Sequence, residues 1–360
     1  MSNMVSRRGF LAGSAGVASA FLLRDLIADT PAAKTDLSFW HVSDTHFYAD
    51  ETNIERIDAQ SLAVNDRVIE LLNTLPGSEL PASVGGGVLP KPIGVIHTGD
   101  TIDSGDKQNG DYPKMQRTEW AAYVERYGLT GSDGRLKYPV YELHGNHDSP
   151  HGGGLVLEQI TERNKRRPAV GNVSKNGLHY SWDWGPVHFL SLGIVVGGSK
   201  ETARQRRYNP LESYDFLTSD LAEKVGKSGR PVVICHHVDI VRYTGACDPN
   251  APYENKNEWD PCDVHAFYNA IKEYNVLAVL YGHTHARKVY KWDGRSATAK
   301  AGIDVFNVDD ASHYRGGAHG IFHFQITDTK MIVREYTTKD HWKTATWAPA
   351  LTKPIALARV

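Results

Sequence analysis

Five short apolar runs in this 360-residue chain end abruptly in residues able to bind metal. Leu37 to Ser43 leads into Asp44-Thr45-His46, and Gly94 to Thr98 into Gly99-Asp100-Thr101-Ile102-Asp103. Tyr138 to His144 leads into Gly145-Asn146-His147-Asp148, Val232 to Cys235 into His236-His237, and Val276 to Tyr281 into Gly282-His283-Thr284-His285. Asp44, His46, Asp100, Asn146, His236, His283 and His285 supply three oxygen and four nitrogen donors, with His237 as the alternative to His236. Seven donors are too many for one tetrahedral zinc and suit two metals sharing a carboxylate. Such a pair, roughly 3.5 to 4 Å apart, lowers the pKa of a bound water from 15.7 toward ~7 and clamps the oxygens of an in-line phosphoryl displacement. Asn146 is neutral, which limits the negative charge of the site and favours an anionic substrate such as a phosphate ester. Mixed nitrogen and oxygen donors suit Mn, Fe and Zn alike.

The elements that must position these residues follow from the runs. Short stretches rich in Val, Ile and Tyr read as strands buried on both faces, and ligands in open α/β sheets bind beyond the carboxyl ends of the strands. Helical stripes lie between them: Val64, Val68, Leu71, Leu72 and Leu75 up to Pro76, then Leu217, Leu221 and Val225, then Val264, Phe267, Ile271 and Tyr274. The alternation makes the class α/β. Residues 76 to 92, with four prolines and three consecutive glycines, read as an irregular surface insertion. After His285 the texture turns to strands, including a hairpin around Asp328-Thr329.

The blocks D-x-H, G-D-x-x-D, G-N-H-D, a strand-terminal His and G-H-x-H occur in this order from Asp44 to His285, about two thirds of the chain. In this the sequence resembles the calcineurin-like metallophosphoesterases. The resemblance implies a four-layer α/β/β/α sandwich with two mixed sheets inside. It also implies that Asp44, His46 and His285 hold one metal, that Asn146, His236 and His283 hold the other, and that Asp100 bridges them. His147 would donate a hydrogen bond or proton to the substrate, with Asp148 as its catalytic partner or support. Hydrolysis of a phosphodiester is the expected activity, with a phosphomonoesterase, a protein phosphatase or a non-catalytic phospho-ligand scaffold as alternatives. Purple acid phosphatases, a related group, carry Gly where His46 stands and Tyr where Asp103 stands, so an iron-tyrosinate chromophore is not expected.

Composition bounds the rest. Forty Lys plus Arg against 42 Asp plus Glu give a net charge of −2, which offers no basic field for nucleic acid. Residues 1–33 read as an export signal: Ser6-Arg7-Arg8-Gly9-Phe10-Leu11 is a twin-arginine pattern, and the apolar run from Ala12 to Leu23 is diluted by Gly and Ser. The expected partners are thus the twin-arginine export machinery and a phosphate-ester substrate, with no stable membrane span in the mature protein. The expected location is periplasmic or secreted, with an uncleaved signal acting as an anchor as the alternative. Residues 34–360 form the expected metallophosphoesterase domain, with its blocks over 44–285 and a β-rich part over 286–360. Cys247 and Cys262 flank a turn-rich stretch that a disulfide could fasten, and Cys235 lies in an apolar run as an inert thiol. His41, His97 and His144 read as core or supporting histidines, and His313, Arg315 and His319 as loop residues without catalytic role. Arg163 to Arg167 and Arg204 to Arg207 read as solvated surface, with a phosphate or lipid head group as the alternative.

Overall fold

β1 (Asp36–Val42) buries every residue after its first, as a strand covered on both faces must. The computed structural model describes residues 35–198, 205–252, 254, 256–355 and 357; the expected export signal and Arg204 lie outside them. After β1 come β2 (Ala49–Asp50), β3 (Asn53–Ile57), α1 (Ala59–Thr74), β4 (Val95–His97), α2 (Tyr112–Tyr127), β5 (Val140–Glu142) and α3 (Leu155–Asn164). The chain continues through β6 (Val170–Val173), β7 (Tyr180–Trp184), β8 (Val187–Ser191), α4 (Ser213–Asp220), β9 (Val232–Cys235), α5 (Pro261–Ile271) and β10 (Val276–Tyr281). It closes with β11 (Lys288–Trp292), β12 (Ile303–Asn307), β13 (His319–Thr327), β14 (Lys330–Thr338), β15 (Ala345–Trp347) and β16 (Leu351–Pro354).

Two mixed sheets result. One has the order β15-β14-β13-β1-β4-β5 with β16 on β14, the other β11-β12-β10-β9-β8-β7-β6. Phe39, Tyr141, Trp182, Phe189, Leu280 and Phe324 belong to the apolar layer between the sheets. Trp40 and Val95 pack with α1, α2 and α3 on one outer face, and Val232 and Ile234 with α4 and α5 on the other. This is the expected α/β/β/α sandwich.

Register aligns the strand ends that matter. β1, β4 and β5 run parallel with Val42 opposite His97 and His97 opposite Glu142, so their three following loops emerge side by side. β9 and β10 run parallel with Cys235 opposite Leu280, which brings His236-His237 next to the Gly282–His285 segment. α1 begins where Asp58 accepts from Gln60 N and Ser61 N, and it ends before Pro76, which cannot continue a helix. α5 begins on Asp260, whose side chain accepts from Cys262 N, with Pro261 in the first turn.

One expectation is refined here and one changes. The 76–92 stretch is irregular and mostly exposed, as expected, but its Leu80, Val84 and Leu89 are buried with the α1–α3 layer. It returns to the sheet at Ser38, whose carbonyl accepts from Ile93 N, at the end of β1 away from Asp44. It therefore adds three side chains to a core on the side away from Asp44. Arg163 and Arg167 are not solvated surface. Both bind the fully buried Glu142, at 2.7 and 2.6 Å, and a charged carboxylate at that depth requires them.

Cys247 and Cys262 are bonded, with Cα atoms 4.5 Å apart, and Cys235 is a buried free thiol. Closing a loop of this size restricts the unfolded chain by about 3 kcal/mol in the chain-entropy description.

Candidate metal centre

Asp44, His46, Asp100, His283 and His285 all have left-handed backbones, with φ between 40° and 72°. Residues with a Cβ pay roughly 1–3 kcal/mol each for such conformations and keep them only where the surroundings impose them. The bends turn the chain sharply at the strand ends and point short side chains at a common centre. Two glycines permit the close approach: a Cβ on Gly145 would collide with the Asp100 carboxylate, and one on Gly282 with Ser43 and Asp44.

Among the described residues four overlapping donor groups meet there, and two of them share Asp100. Asp44, His46, Asp100 and His285 bring ligand atoms within 4.8 Å of one another, and so do Asp100, His237 and His283. Nε2 of His46 lies 3.2 Å from Nε2 of His285 and 3.6 Å from Asp100 Oδ2. Asp44 Oδ1 lies 3.2 Å from His285 Nε2. On the other side, His237 Nε2 is 3.1 Å from both Asp100 Oδ2 and Asn146 Oδ1. Asp100 belongs to both groups and Oδ2 faces both, which is the position of a bridging carboxylate. Its Oδ1 accepts from His147 N at 2.7 Å, which fixes the rotamer.

The imidazoles are oriented from behind. His46 Nδ1 donates to Asp103 Oδ1 at 3.1 Å and His237 Nδ1 to Thr98 O at 2.7 Å, so that in the neutral ring of each the lone pair is on Nε2, toward the centre. Burial pushes the Asp44 carboxyl up, but hydrogen bonds from His285 and His46 outweigh it and hold the group well below the usual range. Asp100 is likewise held down against burial by the charges of His237 and His147. Burial pushes His237 down, yet Asp100 beside it raises it to about 9. Buried carboxylates that hold a facing imidazole protonated in this way will hold a metal cation in place of its proton, which is released on binding. Oxygen and imidazole donors without thiolate fit Mn, Fe or Zn, so the residues present fit a metal pair.

His236 does not take part. Its ring lies 5.6 Å from Tyr281, nearly parallel, and edge-on to Trp259 and Phe267. Neither ring nitrogen has a hydrogen-bond partner among the described residues, and burial holds its pKa down at about 3. Strand alternation explains the correction: Val232 and Ile234 face α4 and α5, and His236 continues that parity, so the next residue, His237, points to the centre. His237→Ala is expected to lose metal and activity, whereas His236→Leu, close in volume, should retain both. Metal content measured on the two purified variants separates the assignments, and a metal-free His236→Leu would restore the first.

His147 stands at the edge of the cluster with its side chain a third exposed (33%). Its Nδ1 donates to Asp103 O at 3.0 Å, which leaves Nε2 unprotonated in the neutral ring and protonated in the cation, free to serve a substrate. Asp148 is fully buried and takes no such position. Its Oδ1 accepts from Thr101 N, Thr101 Oγ1 and Ile102 N, and Oδ2 from Gly145 N, so it ties the Asp100 loop to the Asn146 loop. Burial and the Asp100 charge raise it to about 6. A cleft of about 460 Å³ opens beside Asn146 and His147 and is lined further by His151, Arg206, Arg207 and Tyr208.

The loop after β12 supplies a residue that sequence reasoning set aside. The His313 ring lies 4.6 Å from that of His46 and 4.7 Å from that of His285, and its backbone N donates to Asp310 Oδ1. His313 follows another strand that is parallel to β10, and the strand-end rule applied to the first five runs would have found it. His41 and His97 do support the loops, bonding Thr98 Oγ1 and Thr45 Oγ1.

Layered sheets whose strand ends carry two donor groups joined by one carboxylate define a dinuclear metal-site fold. The chain belongs to the calcineurin-like phosphoesterase family, whose model matches residues 37–287. It is similar to purple acid phosphatase 23 of Arabidopsis thaliana, with 28% identity over 152 residues. The matched part is 42% of this chain and 29% of that relative, so the chain spans less than a third of its length. In fold it is similar to a dimetal phosphatase from Danio rerio, with a TM-score of 0.50 and 14% identity, covering 88% of this chain and 98% of that one.

Proposed function

We propose that this chain hydrolyses phosphate esters with two transition-metal ions and that a phosphodiester is its preferred substrate class. The observation that carries the reading is Asp100 Oδ2, which faces His46 at 3.6 Å and His237 at 3.1 Å and so joins the two donor groups. Asp44, His46, His285 and Asp100 would hold one ion, and Asn146, His237, His283 and Asp100 the other. When bound, the pair supplies an activated water and neutralises charge on the phosphoryl oxygens. The donor set contains only two carboxylates, Asp44 and Asp100, so a divalent pair would leave a positive site for an anionic ester. His147, fixed through Nδ1, presents Nε2 toward the cleft, where it can protonate or hydrogen-bond a departing alkoxide. Asp148 holds the two loops together rather than moving a proton. The cleft has room beyond one phosphate, and Arg207 and His151 at its wall suit a second ester arm that is polar or anionic.

The printed names of the two relatives favour a phosphomonoesterase as the second reading. The test compares kcat/KM for bis-nitrophenyl phosphate and nitrophenyl phosphate after loading with Mn, Fe or Zn. A higher value for the diester supports the proposal, a higher value for the monoester replaces it with the second reading, and metal uptake without turnover makes the protein a scaffold.

The bonded Cys247 and Cys262 support an oxidising destination, and with Arg7-Arg8 they favour twin-arginine export to the periplasm. Replacing both arginines with lysine should keep the protein in the cytoplasm. Normal periplasmic levels of that variant would refute the export reading. Among the described residues no helix is long and apolar enough to cross a membrane.

A further inference from the structure

Glu258 belongs to none of the five sequence blocks, yet it touches the metal centre. Its Oε2 accepts from His283 Nε2 at 3.0 Å and from Tyr243 Oη at 2.7 Å and forms an ion pair with Arg242 Nη2 at 3.0 Å. Its Oε1 accepts from Tyr208 Oη at 3.3 Å and lies 3.7 Å from Arg207 Nη1, so the same carboxylate reaches the wall of the cleft. The side chain is 12% exposed. It does not join the Asp100, His237 and His283 donors that lie within 4.8 Å of one another, so it stands behind His283 rather than among the ligands.

The backbone around it is pinned on both sides. Glu258 lies in the segment that the Cys247–Cys262 disulfide closes. The next residue, Trp259, is buried and donates from Nε1 to Val196 O at 2.8 Å, and Asp260 then caps α5.

We propose that Glu258 is a positioning residue for the metal centre. A carboxylate that accepts from Nε2 requires the proton there, so the His283 lone pair is on Nδ1, which becomes its only coordinating atom. The ring is thereby held in one tautomer and one rotamer, and its basicity as a ligand rises. The contacts to Tyr208 and Arg207 couple that ligand to the cleft. The inference rests on the two-metal reading given above.

Two measurements on the full chain test it. In the first, the stripped protein is titrated with Mn2+ by calorimetry, with bound Mn2+ counted by electron paramagnetic resonance. Glu258→Ala should still saturate at two ions while one site weakens about 10- to 100-fold. Glu258→Gln, whose amide oxygen still accepts the Nε2 proton, should recover most of that loss. In the second, imidazole 15N spectra of the zinc-loaded wild-type chain should show His283 as the Nε2–H tautomer, a readout that does not depend on how well a variant folds. Unchanged affinity in Glu258→Ala, saturation at one ion, which would make Glu258 a direct ligand, or the Nδ1–H tautomer each overturns the proposal. A wild-type chain that never binds a second ion instead sinks the two-metal reading, and this inference with it.

Discussion

Asp100→Ala should release both metals and abolish hydrolysis in one step. The carboxylate is buried, its Oδ2 faces His46 and His237, and its Oδ1 holds the His147 backbone. Removing it deletes one of two anions from the donor set and leaves two cations facing each other without the charge between them. The loss should exceed the 10² to 10⁴ or so in rate that an acid-base group supplies, because nucleophile and charge clamp go together. Asp100→Asn, which keeps the volume and removes the charge, should behave almost as badly. Asp103→Ala is expected to be milder. The Asp103 carboxylate orients His46 through Nδ1 from behind, the carbonyl that holds His147 survives the substitution, and losing a partner of that kind costs about 10- to 100-fold in metal affinity. Metal content and kcat on the three variants check the ranking, and full double occupancy in Asp100→Ala would show that the bridge is elsewhere.

His147→Ala should keep both metals and lower kcat by about 10² to 10⁴. The ring lies outside the two donor groups that share Asp100, although it stands with His46 and Asp103 in a further one, and its Nδ1 is taken by Asp103 O. What the substitution removes is a proton or hydrogen bond at the leaving oxygen. The deficit should therefore shrink for nitrophenyl esters, whose leaving group departs with little protonation, and grow for alkyl esters. A deficit independent of leaving group would place His147 on the phosphoryl oxygens instead, and a loss of metal would make it a ligand.

The layers and most of the site are legible in the sequence because buried strands and strand-end donors leave a strong local signature. What escaped has physical causes. α2 shows no clean apolar stripe, since Gln116, Glu119 and Arg126 are buried on it. Glu119 is there for a reason, accepting from Ala49 N and from Ser104 N and Oγ and so tying the loops after β1 and β4 to the helix. Residues 76 to 92 look like surface because Gly and Pro dominate, while their core contribution comes from Leu80, Val84 and Leu89 at no regular spacing. His236 and His237 differ only by strand parity, which a pattern of block residues does not resolve but alternation from Val232 does. Glu258 could not be found from sequence, since its link to His283 is made by tertiary packing of a loop whose course the disulfide and Trp259 determine.

In the proposed centre one carboxylate, Asp100, joins two metal ions at the ends of β1, β4, β5, β9 and β10. This bridge is tested most directly by electron paramagnetic resonance of the chain loaded with Mn2+. Two ions per chain with the spectrum of an exchange-coupled pair are expected, with loss of that coupling in Asp100→Ala. One ion per chain, or two that give only the spectrum of isolated Mn2+, would contradict it.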